Sequence, residues 1–176
     1  MKMGDGGFRR AYNVQYAVAG SAMGGPRTNV GVNVTNVGSD IGSMAPMVEQ
    51  IEERTGQRPA ALLADGGHVK SEDISATRRM GVDVIVPPAE TAKTIEKLRT
   101  EGADPEVIAW RERMETDEAK QLYRGRAGLV ELANAHPKTH HGITQVLVRG
   151  AAKVTCVSLL NAIGSNLLQH ASRLLG

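Results

Sequence analysis

A single carboxylate, Asp65, stands where a short apolar run meets two glycines, in the segment ALLADGGHVKSEDI at residues 61–74. An acid in this setting either forms the turn or binds a metal ion. The preceding run is apolar on both faces and follows a predicted helix, which is typical of a buried parallel strand. Open α/β sheets carry their functional groups at the carboxyl ends of such strands. On this segment alone, both roles of Asp65 stay open.

A second carboxylate, Glu131, is the one acid among residues 120–176, which also carry seven Lys/Arg. The chain around it is predicted to be helical and presents aromatic and basic side chains: Tyr123, Arg124, Arg126 and Lys138. A carboxylate flanked by cations can hold Mg²⁺ while the cations hold phosphate groups. The alternative is an ordinary ion pair along the helix, between Glu131 and Arg124 or Arg126.

The net charge of +2 conceals an uneven distribution along the chain. Residues 1–39 carry four Lys/Arg and one acid, and residues 40–119 carry ten Lys/Arg and seventeen acids. Residues 120–176 are strongly basic. A basic carboxyl-terminal third suits a polyanionic partner and equally a solvated basic face. The single cysteine, Cys156, excludes a disulfide framework and suits a reducing cytoplasm. No apolar run reaches the roughly 18 residues of a membrane span, so no membrane association is predicted.

Several classes of enzyme are excluded because their motifs are missing. The chain has no G-x-x-x-x-G-K-[ST], no G-x-G-x-x-G after a strand, no G-x-S-x-G and no H-E-x-x-H. Nucleotide or other organic cofactors are therefore not predicted. The histidine-rich segment HPKTHH at residues 136–141 lacks an acidic or thiolate companion, and an exposed loop explains it better than a zinc site.

The elements that must position the acids follow from the periodicity of the apolar residues. Alternation in AYNVQYAV and NVGVNVT predicts an antiparallel hairpin within residues 1–36. Residues 39–88 are typical of a helix, a strand, a helix and a strand, with Ser39 or Asp40 capping the first helix and Ser71 the second. Residues 89–118 form an insert or linker. Residues 119–176 hold the helix of Glu131 and a closing amphipathic helix.

This order of elements predicts one α/β domain over residues 1–176. Its sheet is expected to be mixed, antiparallel at the hairpin and parallel afterwards, with flanking helices. From Pro105 to about His136 the pattern indicates one long helical stretch, and Pro137 ends it.

Several segments, in order and over nearly the whole chain, resemble the carboxyl-terminal part of bacterial insertion-sequence transposases of the DDE type. The segments are MKMGDGGFRRAYNVQYAV, GVNVTNVGSD, PMVEQIEERTGQRPAALLADGGH, VIVPP, AWRERMETDEAKQLYRGRAGLVELANA and VLVRGAAKV. The resemblance implies a ribonuclease-H-like mixed sheet. It also implies DNA cleavage and strand transfer that depend on Mg²⁺ or Mn²⁺ held by two Asp and one Glu.

The resemblance also implies roles for particular residues. Asp65 corresponds to the second Asp, and Glu131 to the Glu of a Tyr-x-x-Arg…Glu-x₆-Lys signature, although four residues rather than three separate Arg126 from it. The aromatic residue that usually follows DGG is His68 here, which leaves its role open. Contacts to DNA phosphates are expected from one set of side chains, for which solvated helix charges are the alternative: Tyr123, Arg124, Arg126, Lys138, Arg149 and Lys153.

The first Asp of the trio has no counterpart in the chain. The fold needs three antiparallel strands before its first helix and the sequence shows two, so the missing strand is expected to be the first. Asp5 lies in a glycine-rich loop, and Ala19 stands where related sequences have Asp. We therefore expect a fragment of the catalytic domain that is inactive alone and binds its metal weakly or not at all.

Three alternatives remain at this point. The chain could be a non-catalytic DNA-binding or dimerising fragment that modulates a full-length transposase, as a homodimer or a heterodimer with it. It could be an unrelated α/β domain in which Asp65 only forms a turn, or a relic without activity. On the transposase interpretation the partner is transposon-end DNA in the bacterial cytoplasm.

Overall fold

The computed structural model describes residues 11–20, 26–89, 91–126, 128 and 146–175. The elements of these residues are, in chain order, β1 (Asn13–Ala19), β2 (Thr28–Thr35), α1 (Met44–Thr55), β3 (Ala61–Leu63), α2 (Ser71–Arg79), β4 (Asp83–Ile85), α3 (Ile95–Thr100), α4 (Pro105–Glu115), α5 (117–126) and α6 (Ala151–Leu174). The chain divides into two compact units. We call Met1–Gly38 with Ala127–Gly176 the hairpin unit, and Ser39–Arg126 the central unit.

The hairpin unit is built on an antiparallel pair of strands. β1 pairs with β2 so that Tyr16 lies opposite Val32, and the register shifts between Ala17 and Val18. The predicted hairpin is thereby confirmed, since alternating apolar residues favour a pleated strand with one face covered. Helix α6 covers β2. It is joined to the strand by Asn166, whose Oδ1 accepts from the backbone N–H of Asn29 at 2.7 Å.

Helix α6 is long and apolar enough over Ala151–Arg173 to cross a membrane, judged by length and composition alone. The sequence analysis did not predict this, because polar residues interrupt its apolar runs. A helix that packs against a sheet in a protein core passes the same test. In the structure 22% of this stretch is buried, and its polar residues Asn166 and His170 are hydrogen-bonded to the hairpin.

The central unit is built on two short parallel strands. β3 pairs with β4 in the register Ala61 to Asp83 and Leu63 to Ile85, which confirms the predicted parallel strand before Asp65. Helices α1, α2 and α4 surround the pair, and their buried side chains form one core with β4: Met44, Ile74, Val84, Ile85, Val86, Val107, Trp110 and Met114. The core is mainly aliphatic, as the scarcity of aromatic residues requires.

The amino-terminal end of α1 is capped from another helix. The N-cap residue is Ser43, but its side chain does not bond to the helix. The buried carboxylate of Asp73 accepts instead from the backbone N–H groups of Met44 at 3.0 Å and Ala45 at 3.1 Å. The predicted cap by Ser39 or Asp40 is therefore wrong, because Asp73 satisfies the exposed N–H groups from a distance that local sequence patterns do not show.

The other helix ends give a mixed outcome. Gly56 ends α1 in the left-handed conformation, as predicted. Ser71 is the first residue of α2 and Lys70 its N-cap, so the predicted Ser71 cap is one residue out. The prediction of one long helix from Pro105 is wrong, because the helix is interrupted at Thr116. The backbone of Thr116 is extended, and its Oγ1 accepts from the N–H of Ala119 at 3.2 Å. The threonine hydroxyl starts α5 there as a new helix.

The strands that the structure describes form two separate two-stranded sheets, one antiparallel and one parallel. A mixed α/β composition with these two pairs is compatible with a ribonuclease-H-like core. The joining of both pairs into one mixed sheet stays a prediction.

Candidate metal centre

Asp65 lies directly beyond β3 and begins a 3-10 turn over Gly66–His68. Its Oδ1 atom accepts from the backbone N–H of Gly67 at 3.1 Å, so the carboxylate does form the turn. A Cβ atom on Gly67 would lie 3.1 Å from the same oxygen, which explains why glycine suits this position. The side chain remains 50% exposed, and its unused lone pairs are available to a ligand.

Two further side chains converge on Asp65. His68 places Nε2 at 3.8 Å from Asp65 Oδ1 and at 4.0 Å from Asp40 Oδ2. One donor atom from each of Asp40, Asp65 and His68 lies within 4.8 Å of the other two. Two carboxylates and an imidazole are a donor set that binds divalent cations. The residues present therefore fit a metal ion, although the fit differs from the predicted trio.

A serine sets the orientation of the imidazole. The Ser43 hydroxyl lies 2.6 Å from the backbone carbonyl of Asp40, to which it donates its single proton. The contact of 3.0 Å between the same hydroxyl and His68 Nδ1 then requires the imidazole N–H to donate. We assign a proton to Nδ1 on this ground, and Nε2 is the ring nitrogen that faces the two carboxylates.

A cation lies on the other side of Asp65. Arg126 approaches Asp65 Oδ2 with a terminal nitrogen at 3.4 Å, and its guanidinium lies 6.0 Å from the ring centre of Tyr123. Its Nε atom is buried and has no hydrogen-bond partner among the residues described. The two oxygens of Asp65 thus have different neighbours: Oδ1 lies nearest His68, and Oδ2 lies nearest Arg126.

Charged side chains hold the helix that carries Arg126. Arg113 of α4 bonds to Asp83 of β4 at 2.9 Å and to Glu118 of α5 at 2.8 Å. The hydrogen bond from Arg113 lowers the pKa of Glu118. Donating these hydrogen bonds to Glu118 and Asp83 raises the pKa of Arg113 in turn, so the guanidinium stays charged. These ion pairs tie α5 to the parallel strands and so fix the origin of the Arg126 side chain.

The predicted site residues fall into three groups. Asp65 and Arg126 are brought together in the central unit. Tyr123 packs against its core, and Arg124 is exposed. Arg149 and Lys153 are exposed at the start of α6 in the hairpin unit. Glu131 and Lys138 lie outside the described residues, so their placement stays a prediction.

Two members of the cluster, Asp40 and His68, were not predicted from the sequence as ligands, nor was the serine behind them. Asp40 was interpreted as a possible helix cap, and Ser43 was not considered. His68 had a local signal, because residues three apart in a 3-10 turn lie on the same side. Asp40 had none, since it lies 25 positions before Asp65 in the chain and only the packing of α1 beside the turn brings them together.

Part of the chain matches a known protein family. Residues 88–171 match the family model described as the transposase DDE domain. This segment includes Glu131 and Arg126, and it begins after Asp40, Asp65 and His68. No curated protein and no solved structure gives a significant match. The family match agrees, over these residues, with the resemblance found in the sequence.

Proposed function

We propose that the chain acts in DNA transposition, through cleavage and transfer of DNA strands that depend on a divalent metal ion. The family match supports this reaction class. The observation that carries the proposal is the position of Asp65, at the carboxyl end of a parallel strand with a second carboxylate and an imidazole nitrogen within 4.8 Å.

The proposed metal ligands are Asp65 and Glu131, as in the family trio, with Mg²⁺ or Mn²⁺ as the cation. A bound divalent ion would lower the pKa of a coordinated water and neutralise charge on the phosphate under attack. Within the described residues, the hydrogen bond from Gly67 holds Asp65 in one orientation, and the same carboxylate is drawn toward Arg126 through its other oxygen.

The basic side chains would bind the DNA backbone. Among those that the structure describes, Arg126 is the best placed, because its guanidinium already lies beside Asp65 and would hold a phosphate next to the metal. Phosphate contacts of the other proposed residues would add affinity without reading the sequence: Tyr123, Arg124, Lys138, Arg149 and Lys153. The proposed partner is DNA, and the proposed compartment is the cytoplasm.

Strand cleavage by the purified chain tests the proposal. Because the first Asp of the trio has no counterpart in the chain, we expect at most weak nicking of supercoiled plasmid in Mn²⁺. Chelation should abolish this nicking and Asp65→Asn should reduce it at least ~100-fold, because misplacing a reacting group by 1 Å already costs about that much. The exposed carboxylate of Glu49 on α1 provides the matched control, and Glu49→Gln should cleave like the wild type. Cleavage that survives Asp65→Asn would refute the catalytic assignment.

A second candidate function is DNA binding without cleavage, as a fragment that modulates a full-length transposase. The basic charge of residues 120–176 favours it, as does the exposure of Arg149 and Lys153. This function predicts binding that weakens steeply with salt and no nicking in either Mn²⁺ or Mg²⁺. The same plasmid, assayed by retardation and by nicking, distinguishes the two functions.

A further inference from the structure

We infer that Asp40, Asp65 and His68 form a site for one transition-metal dication, such as Mn²⁺ or Zn²⁺, with His68 binding through Nε2. The inference rests on the proposed function only through the shared ligand Asp65. It adds two ligands that the family trio does not contain, and it predicts which cation the site selects.

The separations of the donor atoms suit a single ion. Metal bonds to nitrogen and oxygen are about 2.0–2.2 Å long, so two ligands of one ion lie at most roughly 4.2 Å apart. The observed distances from His68 Nε2 to Asp65 Oδ1 and Asp40 Oδ2, 3.8 and 4.0 Å, fall within that limit, and the donor atoms of the two aspartates lie within 4.8 Å of each other. An ion could therefore bind with small side-chain rotations and no change of the backbone.

The imidazole is held ready to bind a metal. His68 is 16% exposed, and its Nδ1 donates to the Ser43 hydroxyl, whose own proton is committed to the carbonyl of Asp40. Metal-bound histidines commonly donate their second ring N–H to a nearby acceptor, which fixes the tautomer and raises the basicity of the binding nitrogen. Ser43 provides that acceptor before any metal is present.

The charges also favour a dication. The cluster contains two carboxylates, which attract a dication, and Arg126 approaches the outer oxygen of one of them, Asp65. Arg126 approaches Oδ2 while His68 approaches Oδ1, so the arginine and a metal ion would use different oxygens. Nothing in this arrangement requires Arg126 to leave when the ion binds.

The nitrogen ligand determines the expected selectivity. Carboxylate oxygens alone suit Mg²⁺, Ca²⁺ and Mn²⁺, whereas an imidazole favours the transition metals over Mg²⁺. We therefore expect Mn²⁺ to bind the chain more tightly than Mg²⁺. Replacing His68 should reduce the difference in affinity between Mn²⁺ and Mg²⁺, because the remaining ligand atoms are oxygens.

Electron paramagnetic resonance with Mn²⁺ as the probe tests the site without any DNA. The protein should carry His136→Gln, His140→Gln and His141→Gln, since that histidine-rich segment could bind the ion independently. We expect one Asp65-dependent Mn²⁺ site whose pulsed spectrum shows coupling to one imidazole nitrogen. His68→Gln should remove the coupling and weaken binding at least ~10-fold.

Two companion variants separate ligation from folding. His170 of the hairpin unit also contacts a hydroxyl, that of Thr28, so His170→Gln should keep both the Mn²⁺ affinity and the nitrogen coupling. Asp40→Asn should weaken Mn²⁺ binding and retain the coupling. Circular dichroism of each variant verifies that the fold is intact.

The outcomes distinguish this inference from the proposed function. Mn²⁺ bound at Asp65 without nitrogen coupling would overturn the inference and leave DNA cleavage possible. A nitrogen-coupled site that is lost in His68→Gln would support the inference even if the chain never nicks DNA. Binding that is indifferent to Asp40→Asn and His68→Gln would overturn it.

Discussion

The two compact units of the chain use a histidine in opposite ways. In the hairpin unit, His170 Nε2 lies 2.8 Å from the hydroxyl of Thr28, and the contact fastens α6 to β2. In the central unit, His68 makes its hydroxyl contact through Nδ1, and Nε2 faces two carboxylates. The Nε2 atom of His170 thus contributes to the packing of the fold, whereas the Nε2 atom of His68 faces the proposed metal site.

The difference shows which polar groups are structural. The polar side chains between α6 and the hairpin, such as Asn166 and Asn161, bond to partners on the strands and so satisfy buried groups. The central unit instead gathers two acids and a histidine, with Arg126 beside one of the acids, so its polar groups are titratable or charged rather than neutral amides. A site that holds such charges together is a candidate for function rather than stability.

The largest expected effect separates two aspartates of the central unit. Asp65→Asn should abolish Mn²⁺ binding and leave the unfolding temperature nearly unchanged, because the side chain is half exposed. Asp73→Asn should keep Mn²⁺ binding and destabilise the fold by about 1–3 kcal/mol, because the buried carboxylate caps α1 with two hydrogen bonds. Isothermal titration calorimetry measures the Mn²⁺ binding, and thermal unfolding measures the stability. The same Mn²⁺ affinity and the same unfolding temperature in both variants would contradict the distinction between the two aspartates.

A smaller effect is expected at Ser43. Ser43→Ala removes the acceptor of His68 Nδ1 and should weaken Mn²⁺ binding about 10-fold, within the range found for groups that orient metal-bound histidines. The cap of α1 should survive, because the Ser43 side chain does not bond to the helix. Mn²⁺ titration of the variant measures the loss. An unchanged affinity would show that Ser43 does not prepare the imidazole.

A still smaller effect is expected at the turn. Gly67→Ala places a methyl group 3.1 Å from Asp65 Oδ1, so the carboxylate must shift by a few tenths of an ångström. We expect Mn²⁺ affinity to fall severalfold, with Gly66→Ala as the matched control, because a Cβ atom at Gly66 meets its nearest neighbour at an ordinary 3.7 Å. Equal losses in the two variants would point to the turn backbone rather than to Asp65.

The smallest effect concerns stability in acid. The N–H of Glu106 lowers the pKa of Asp104, and the hydrogen bond from Arg113 lowers the pKa of Glu118. Because these folded-state pKa values lie below those of the unfolded chain, both acids stabilise the fold above about pH 4, and the stabilisation is lost as the pH falls through the lowered values.

Thermal unfolding between pH 7 and pH 2 measures this dependence on acid. Glu118→Gln should show a slightly shallower fall of the unfolding temperature than the wild type. A steeper fall in the variant would contradict the role of Arg113 as the stabilising partner of Glu118.

The sequence predicted those elements of the fold that are determined by residues close together along the chain. Alternation placed β1 and β2, and the apolar run before Asp65 placed a parallel strand with an acid at its end. The cap by Asp73 and the approach of Asp40 to Asp65 depend on how α1 packs beside α2 and the turn, so no short segment reveals them. The break at Thr116 was missed because a threonine inside an apolar-periodic stretch can continue a helix or cap a new one.

The candidate site follows the same division. The sequence predicted that Asp65 lies at the end of a parallel strand. In the structure Asp65 both forms the turn and belongs to the cluster with Asp40 and His68. The cationic neighbour Arg126 was predicted as a phosphate contact, and the structure adds that it lies 3.4 Å from Asp65. His68 stood in the sequence as a departure from the family's usual aromatic residue, and its imidazole faces the two acids.

Anomalous diffraction from crystals soaked in Mn²⁺ tests the central claim most directly, since it locates the ion and its ligands together. We predict one strong peak in the central unit, within bonding distance of Asp40, Asp65 and His68 Nε2. A peak bonded to Asp65 without His68, or Mn²⁺ found only at the histidines of residues 136–141, would contradict the account.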